Sequence, residues 1–149
     1  MRVGEACNRT VVVATADTAI VEAAQLMRQY HVGTLVVVER DGQTARPVGM
    51  VTDRDVVVEV VAKEVPLERV VLGDIMSTEI TIANEDDDLL ETLDRMRDRG
   101  VRRMPVIGQG GALIGILAVD DVLELLAETI GRIPQLVRFE QQVEARHRP

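Results

Sequence analysis

Apolar and polar positions fall into blocks along this chain, and the blocks occur twice. Val11 to Val13 predicts a short strand. Asp17 and Thr18 follow with N-cap chemistry, and Ile20, Ala23, Ala24, Met27 and His31 recur at helical spacing. Leu35 to Val38 is an unbroken apolar run of strand length, Asp41-Gly42 marks a turn, and Val48 to Val51 returns as a second strand. A helix then runs from about Thr52 to Ala62. Further on, Ile80 to Ile82 predicts a strand, and Leu89, Leu93 and Met96 mark one helix face. Met104 to Ile107, a turn at Gly108-Gln109-Gly110-Gly111, Leu113 to Leu117 and a helix from Asp120 to Ile130 complete the same order. Each block reads strand, helix, strand, strand, helix.

The blocks also match residue by residue. At one constant offset Gly4-Glu5-Ala6-Cys7 falls on Gly73-Asp74-Ile75-Met76, Asp17 on Asp86, and Glu22, Met27, Arg28 and Val32 on Glu91, Met96, Arg97 and Val101. After a short slip Gly49-Met50-Val51-Thr52-Asp53-Arg54-Asp55 meets Gly115-Ile116-Leu117-Ala118-Val119-Asp120-Asp121. The expected fold is mixed α/β, with tandem β-α-β-β-α repeats at residues 4–62 and 72–131 related by a pseudo-twofold axis. Units of about 60 residues bury only about 60% of their unfolded surface and are marginal alone. Stacked repeats cover each other's apolar faces, so the pair is expected to be inseparable. Lys63 to Leu72 reads as the connection. Residues 132–149 read as a helical extension in which Pro134 starts one more helix and Leu136, Val137 and Val143 form its inner stripe.

Composition narrows the possible partners. The only aromatic residues are Tyr30 and Phe139, poor material for stacking bases or sugars. A net charge of −8 argues against a nucleic-acid backbone as the main partner. Cys7 is the only cysteine, and neither a secretory segment nor a membrane-length apolar run is found, so a cytoplasmic protein without membrane contact is expected. Aliphatic faces on an acidic chain point to a symmetric homodimer. Its contacts would be the helices beginning near Asp17, Thr52, Asp86 and Asp120, with residues 133–147 as a clasp.

Thr52 and Asp55 are the first candidates for chemistry. They stand where a strand delivers the chain into a helix, so free backbone N–H groups favour an anion there. An ionised Asp can accept two hydrogen bonds from a vicinal diol such as a ribose, and Thr52 can bond a sugar or a phosphate oxygen. Thr-x-x-Asp is equally a capping box, worth about 0.5–2 kcal/mol to the helix. Spacing alone favours the cap. Arg102 and Arg103 form the second candidate, because a guanidinium fork suits phosphate. Adjacent residues entering a strand point to opposite faces, so one arginine at most is expected in a given cleft. The run Glu85-Asp86-Asp87-Asp88 reads as helix-start chemistry rather than a metal site. Cys7, His31 and His147 lack ligand spacing, and His31 is expected to satisfy carbonyls at a helix end. No Ser-His-Asp set, P-loop or dinucleotide fingerprint is present, so no catalytic residue and no enzyme activity is expected.

The run from Gly49 to Asp55 resembles the glycine–apolar–apolar–Ser/Thr-x-x-Asp signature of cystathionine-β-synthase (CBS) domains. Val101-Arg102-Arg103-Met104-Pro105-Val106 resembles the strand entry of that family, and Gly73-Asp74-Ile75-Met76 its opening segment. The resemblance covers about residues 4 to 131. It implies a tandem CBS pair whose carboxylate holds the ribose of an adenosine compound, and so reverses the preference for a mere cap. By position, one pocket would combine Thr52 and Asp55 with Ile80, Arg102, Arg103 and Pro105. A second, weaker pocket would combine Asp121 with Val11, Gly33 and Thr34. Ala118 stands in place of Thr52 there, and Gly33-Thr34 in place of the two arginines, so that pocket is expected to keep only its carboxylate. The function implied is a stand-alone regulatory module sensing AMP, ADP or ATP, with S-adenosylmethionine and NAD-type ligands also compatible, and signalling to an effector protein. The alternative is a dimerisation or partner-docking module that binds no ligand.

Overall fold

The computed structural model describes residues 1–148. A short helix α1 (Val3–Ala6) leads into β1 (Val13–Ala14), α2 (Ile20–Tyr30), β2 (Thr34–Asp41) and β3 (Thr44–Thr52). A single turn α3 (Asp53–Asp55) continues as a π-helical segment, Val56–Val61. The second repeat consists of α4 (Leu72–Ile75), β4 (Ala83–Asn84), α5 (Leu89–Arg99), β5 (Arg103–Ile107), β6 (Leu113–Ala118) and α6 (Val119–His147). Each repeat forms one three-stranded sheet, with a parallel first pair and an antiparallel second pair. Both antiparallel ladders shift register at the equivalent place, between Val37 and Val38 and between Val106 and Ile107. The duplication read from the sequence is thus repeated down to its irregularities.

The opening segments are exchanged between the repeats. Val3 and Gly4 donate their N–H groups to the Asp87 and Glu85 carbonyls, each at 2.9 Å, although α1 precedes the first repeat. Leu72 and Gly73 make the equivalent bonds to Thr18 and Ala16, at 2.9 and 2.8 Å. Val3 is fully buried in the second core with Leu89, Met96, Met104 and Leu117. Leu72 is fully buried in the first with Ile20, Leu35, Val51 and Val60. Each core thus takes an apolar residue from the other repeat's opening segment. This exchange is a physical reason to expect that the two repeats do not fold apart.

Four local expectations are corrected. On α2 only Ile20, Ala23 and Met27 are buried; Ala24 and His31 face outward. His31 ends the helix with a left-handed φ of 53°, the place that Gly100 takes on α5 with φ 65°, so backbone conformation and not a carbonyl-capping ring distinguishes the site. The helix expected over Thr52 to Ala62 is α-helical for one turn only. Five β-branched valines (Val56, Val57, Val58, Val60 and Val61) crowd a tight α turn, and the wider π turn buries Val60 while Val57, Val58 and Val61 stay exposed. Finally, α6 runs unbroken through Gly131 and Pro134 instead of restarting at the proline. The hydrogen bond that Pro134 cannot make belongs to a stretch exposed on all sides within its own chain, so the free carbonyl is left open to solvent. Leu136, Val137 and Val143 consequently have no inner face in their own chain; all three are exposed.

Candidate ligand-binding cleft

The strand-to-helix junctions of the two repeats meet across a cleft, and two cavities open there. The first, of about 320 Å³, is lined by Thr52, Asp55, Ile80, Arg102 and Arg103, with Thr34, Ser77 and Glu79. Five of the six residues expected for this pocket therefore share it. Pro105 does not line it; it is buried in β5 opposite Ile116. The second cavity, of about 230 Å³, is lined by all four expected residues, Val11, Gly33, Thr34 and Asp121, together with Asn8, His31 and Arg103.

Thr52 and Asp55 are bonded to each other. The Asp55 N–H donates to Thr52 Oγ1 at 3.1 Å, and the Thr52 N–H donates to Asp55 Oδ2 at 2.8 Å. This reciprocal box caps the helix, as spacing alone suggests, but it does not exhaust either group. Oδ1 of Asp55 and the hydroxyl hydrogen of Thr52 have no partner among the described residues. The box fixes the carboxylate in one orientation while leaving an acceptor and a donor directed to other uses. Capping and ligand binding are compatible here. In the second repeat Ala118 offers no side-chain cap, and Asp121 has no such tether.

The two arginines differ. Arg102 pairs with Asp120 at 3.0 Å, both side chains being well exposed. The guanidinium of Arg103 has no hydrogen bond or ion pair among the described residues. Both line the first cavity, against the expectation of one at most, because Arg102 precedes β5 and is outside the pleated alternation. Arg103 lines the second cavity as well, which corrects the reading that this pocket lacks a cation. Its long side chain is anchored at the first residue of β5, on the boundary between the cavities.

Thr34 holds a boundary position like that of Arg103. It opens β2 as Arg103 opens β5, and it too lines both cavities. It is only 8% exposed, and its Oγ1 has no hydrogen-bond partner. A buried hydroxyl without a partner costs about 1–3 kcal/mol, and nearly all such groups in folded proteins are satisfied. Thr92, the other buried threonine, donates to the Asp88 carbonyl at 2.8 Å. Ser77, Glu79 and Met50 were not singled out from the sequence. Met50 lies on β3, and Ser77 and Glu79 reach the cavity because the exchanged segment after α4 lies on that strand, with Met50 and Ser77 bonded backbone to backbone at 3.1 and 2.9 Å. No group of side chains suited to a metal ion is found among the described residues. No helix among them is long and apolar enough to cross a membrane. Burial pushes the Cys7 thiol up.

The comparisons with known proteins agree with this architecture. The CBS domain family profile matches residues 3–62 and 72–128. An uncharacterised protein of Methanopyrus kandleri is 32% identical over 142 residues, 95% of this chain and 71% of the relative. The CBS domain-containing protein YhcV of Bacillus subtilis is 34% identical over 106 residues, 71% of each chain. A CBS domain pair solved in complex with 5′-methylthioadenosine and S-adenosyl-L-methionine superposes with a TM-score of 0.73, covering 87% of this chain and 98% of that one at 20% identity. That last likeness concerns the fold. With two matched repeats and the same fold, this chain belongs to the CBS domain family.

Proposed function

We propose that the chain is a regulatory module that senses an adenosine-containing ligand, with AMP, ADP or ATP as the favoured class, and carries out no reaction of its own. The observation that carries this reading is the first cavity. An oriented carboxylate with a free oxygen, an unpaired guanidinium and an orphaned hydroxyl converge there, which suits a ribose diol, a phosphate and one further polar atom. The free arginine favours a phosphorylated ligand over S-adenosylmethionine. A structural neighbour with bound adenosine compounds supports the ligand class.

The sensing mechanism is linkage. The cavity takes Thr52 and Asp55 from one repeat and Ile80 and Arg103 from the other, so a bound ligand favours the arrangement of repeats that it bridges. An effector protein that reads this arrangement, in the cytoplasm, completes the proposal. The second cavity has a carboxylate without the box that orients Asp55, and takes the role of the weaker site.

Thermal-shift and calorimetric titration of the full chain with AMP, ADP, ATP and S-adenosylmethionine tests the reading. A nucleotide at a hundredfold excess over its dissociation constant stabilises the fold by about 2.7 kcal/mol. Asp55→Ala should remove most of that gain and Asp121→Ala little of it. Absence of a shift with any adenosine compound would leave the docking-module alternative in its place.

A further inference from the structure

Helix α6 leaves the body of the protein early. Val122 is its one buried residue, and every position from Leu126 to Arg148 is exposed. At 1.5 Å per residue, the stretch from Leu126 to His147 is about 33 Å of helix without tertiary packing. Helices in water draw most of their stability from packing an apolar face, so a helix of this kind implies a partner. Its face is ordered. Leu123, Leu126, Ile130, Ile133 and Val137 follow one another at alternating steps of three and four residues and are 45–65% exposed. That is the a/d spacing of a helix-to-helix seam, and the exposed Leu136 and Val143 flank it.

The seam identifies its occupant. Its four residues from Leu126 to Val137 are symmetric about a point between Gly131 and Arg132, so in an antiparallel arrangement Ile130 faces Ile133 of a second copy and Leu126 faces Val137, with Leu123 beyond the apolar overlap. A twofold contact demands this self-complementarity. Charge agrees with the antiparallel sense. Asp120, Asp121, Glu124 and Glu128 make the first half of α6 acidic, while Arg132, Arg138 and Arg146 sit in the second half with Glu140 and Glu144. Parallel pairing would set the acidic halves side by side; antiparallel pairing sets each against the arginine-bearing half and opposes the helix dipoles. We infer that α6 is a self-association element: two copies of this chain pair through antiparallel α6 helices along the seam from Leu126 to Val137.

Light scattering and disulfide cross-linking of the full chain test this. Wild type should run at about twice 16.4 kDa at micromolar concentration. Ile130→Asp combined with Ile133→Asp should weaken association at least tenfold while circular dichroism keeps the folded spectrum, since neither residue touches a core. In a Cys7→Ser background, single cysteines at Ile130 or Ile133 should oxidise to covalent dimers, whereas cysteines at Leu123 or Val137 should not. A monomeric wild type, an undiminished dimer in the double aspartate variant, or cross-linking at all four positions would each overturn the inference, the last by showing parallel helices.

Discussion

Gly49 lies directly beneath Met76. A Cβ on Gly49 would stand 2.7 Å from the Met76 Sδ and 3.0 Å from the Ser77 carbonyl oxygen. Gly115 repeats the relation with Cys7 and Asn8, at 2.8 and 2.9 Å. The glycine of each junction is therefore required by the other repeat's opening segment, which hydrogen-bonds to the strand beside it.

Gly49→Ala and Gly115→Ala should both destabilise the protein by about 1–3 kcal/mol, the usual cost of overpacking. Met76 has a flexible side chain and can partly yield, but the Ser77 carbonyl cannot. Urea unfolding of each variant measures the loss. A change below about 0.5 kcal/mol would mean that the opening segments do not sit on these strands in solution.

Exchange also predicts where damage appears. Val3→Ala changes the chain before the first repeat, yet it removes apolar volume from the core around Met96 and Leu117. Amide hydrogen exchange should quicken in α5, β5 and β6 before it quickens in α2 or β2, with about 1–3 kcal/mol lost from the affected units. Leu72→Ala should give the mirror pattern. Uniform loss of protection in either variant would count against the two-core description.

Residue periodicity and the internal match made the repeated strand–helix order legible, because apolar runs, turn glycines and helical spacing are local signals. The same matching grouped Thr52, Asp55, Ile80, Arg102 and Arg103, which line one cavity, and Val11, Gly33, Thr34 and Asp121, which line the other. What escaped was non-local. The pattern marks Val3 and Leu72 as apolar but does not say which core receives them. Alternation along a strand does not govern Arg102, which lies just before its strand. Position alone gave Thr34 and Arg103 one pocket each, whereas residues on the boundary serve two. At Pro134 a local rule for starting helices was overridden, because the carbonyl freed by the missing bond is left open to solvent within the chain.

Thr34→Val separates stability from binding. Valine keeps the shape and removes the orphaned hydroxyl, so the unliganded protein should become more stable by up to about 1 kcal/mol. Binding of AMP should weaken severalfold, the worth of one neutral hydrogen bond at roughly 0.5–1.5 kcal/mol. Thermal unfolding without ligand and calorimetry with AMP read the two effects independently. Destabilisation without any change in affinity would show that the hydroxyl serves the fold instead of a ligand.

Arg103→Ala asks whether the free guanidinium reads phosphate. Losing a charge-assisted hydrogen bond costs roughly 1.5–3 kcal/mol, so AMP affinity should fall about tenfold or more. Because Arg103 lines both cavities, any residual binding at the second site should weaken with it. Arg102→Ala should matter less, since that side chain is engaged with Asp120. Arg103→Lys should recover only part of the affinity, because an ammonium cannot present two parallel donors. Adenosine, which has the ribose but no phosphate, is the control ligand. Its affinity should be nearly the same in wild type and Arg103→Ala, while the advantage of AMP over adenosine disappears. If adenosine and AMP lose affinity equally, Arg103 shapes the cavity and the phosphate is held elsewhere.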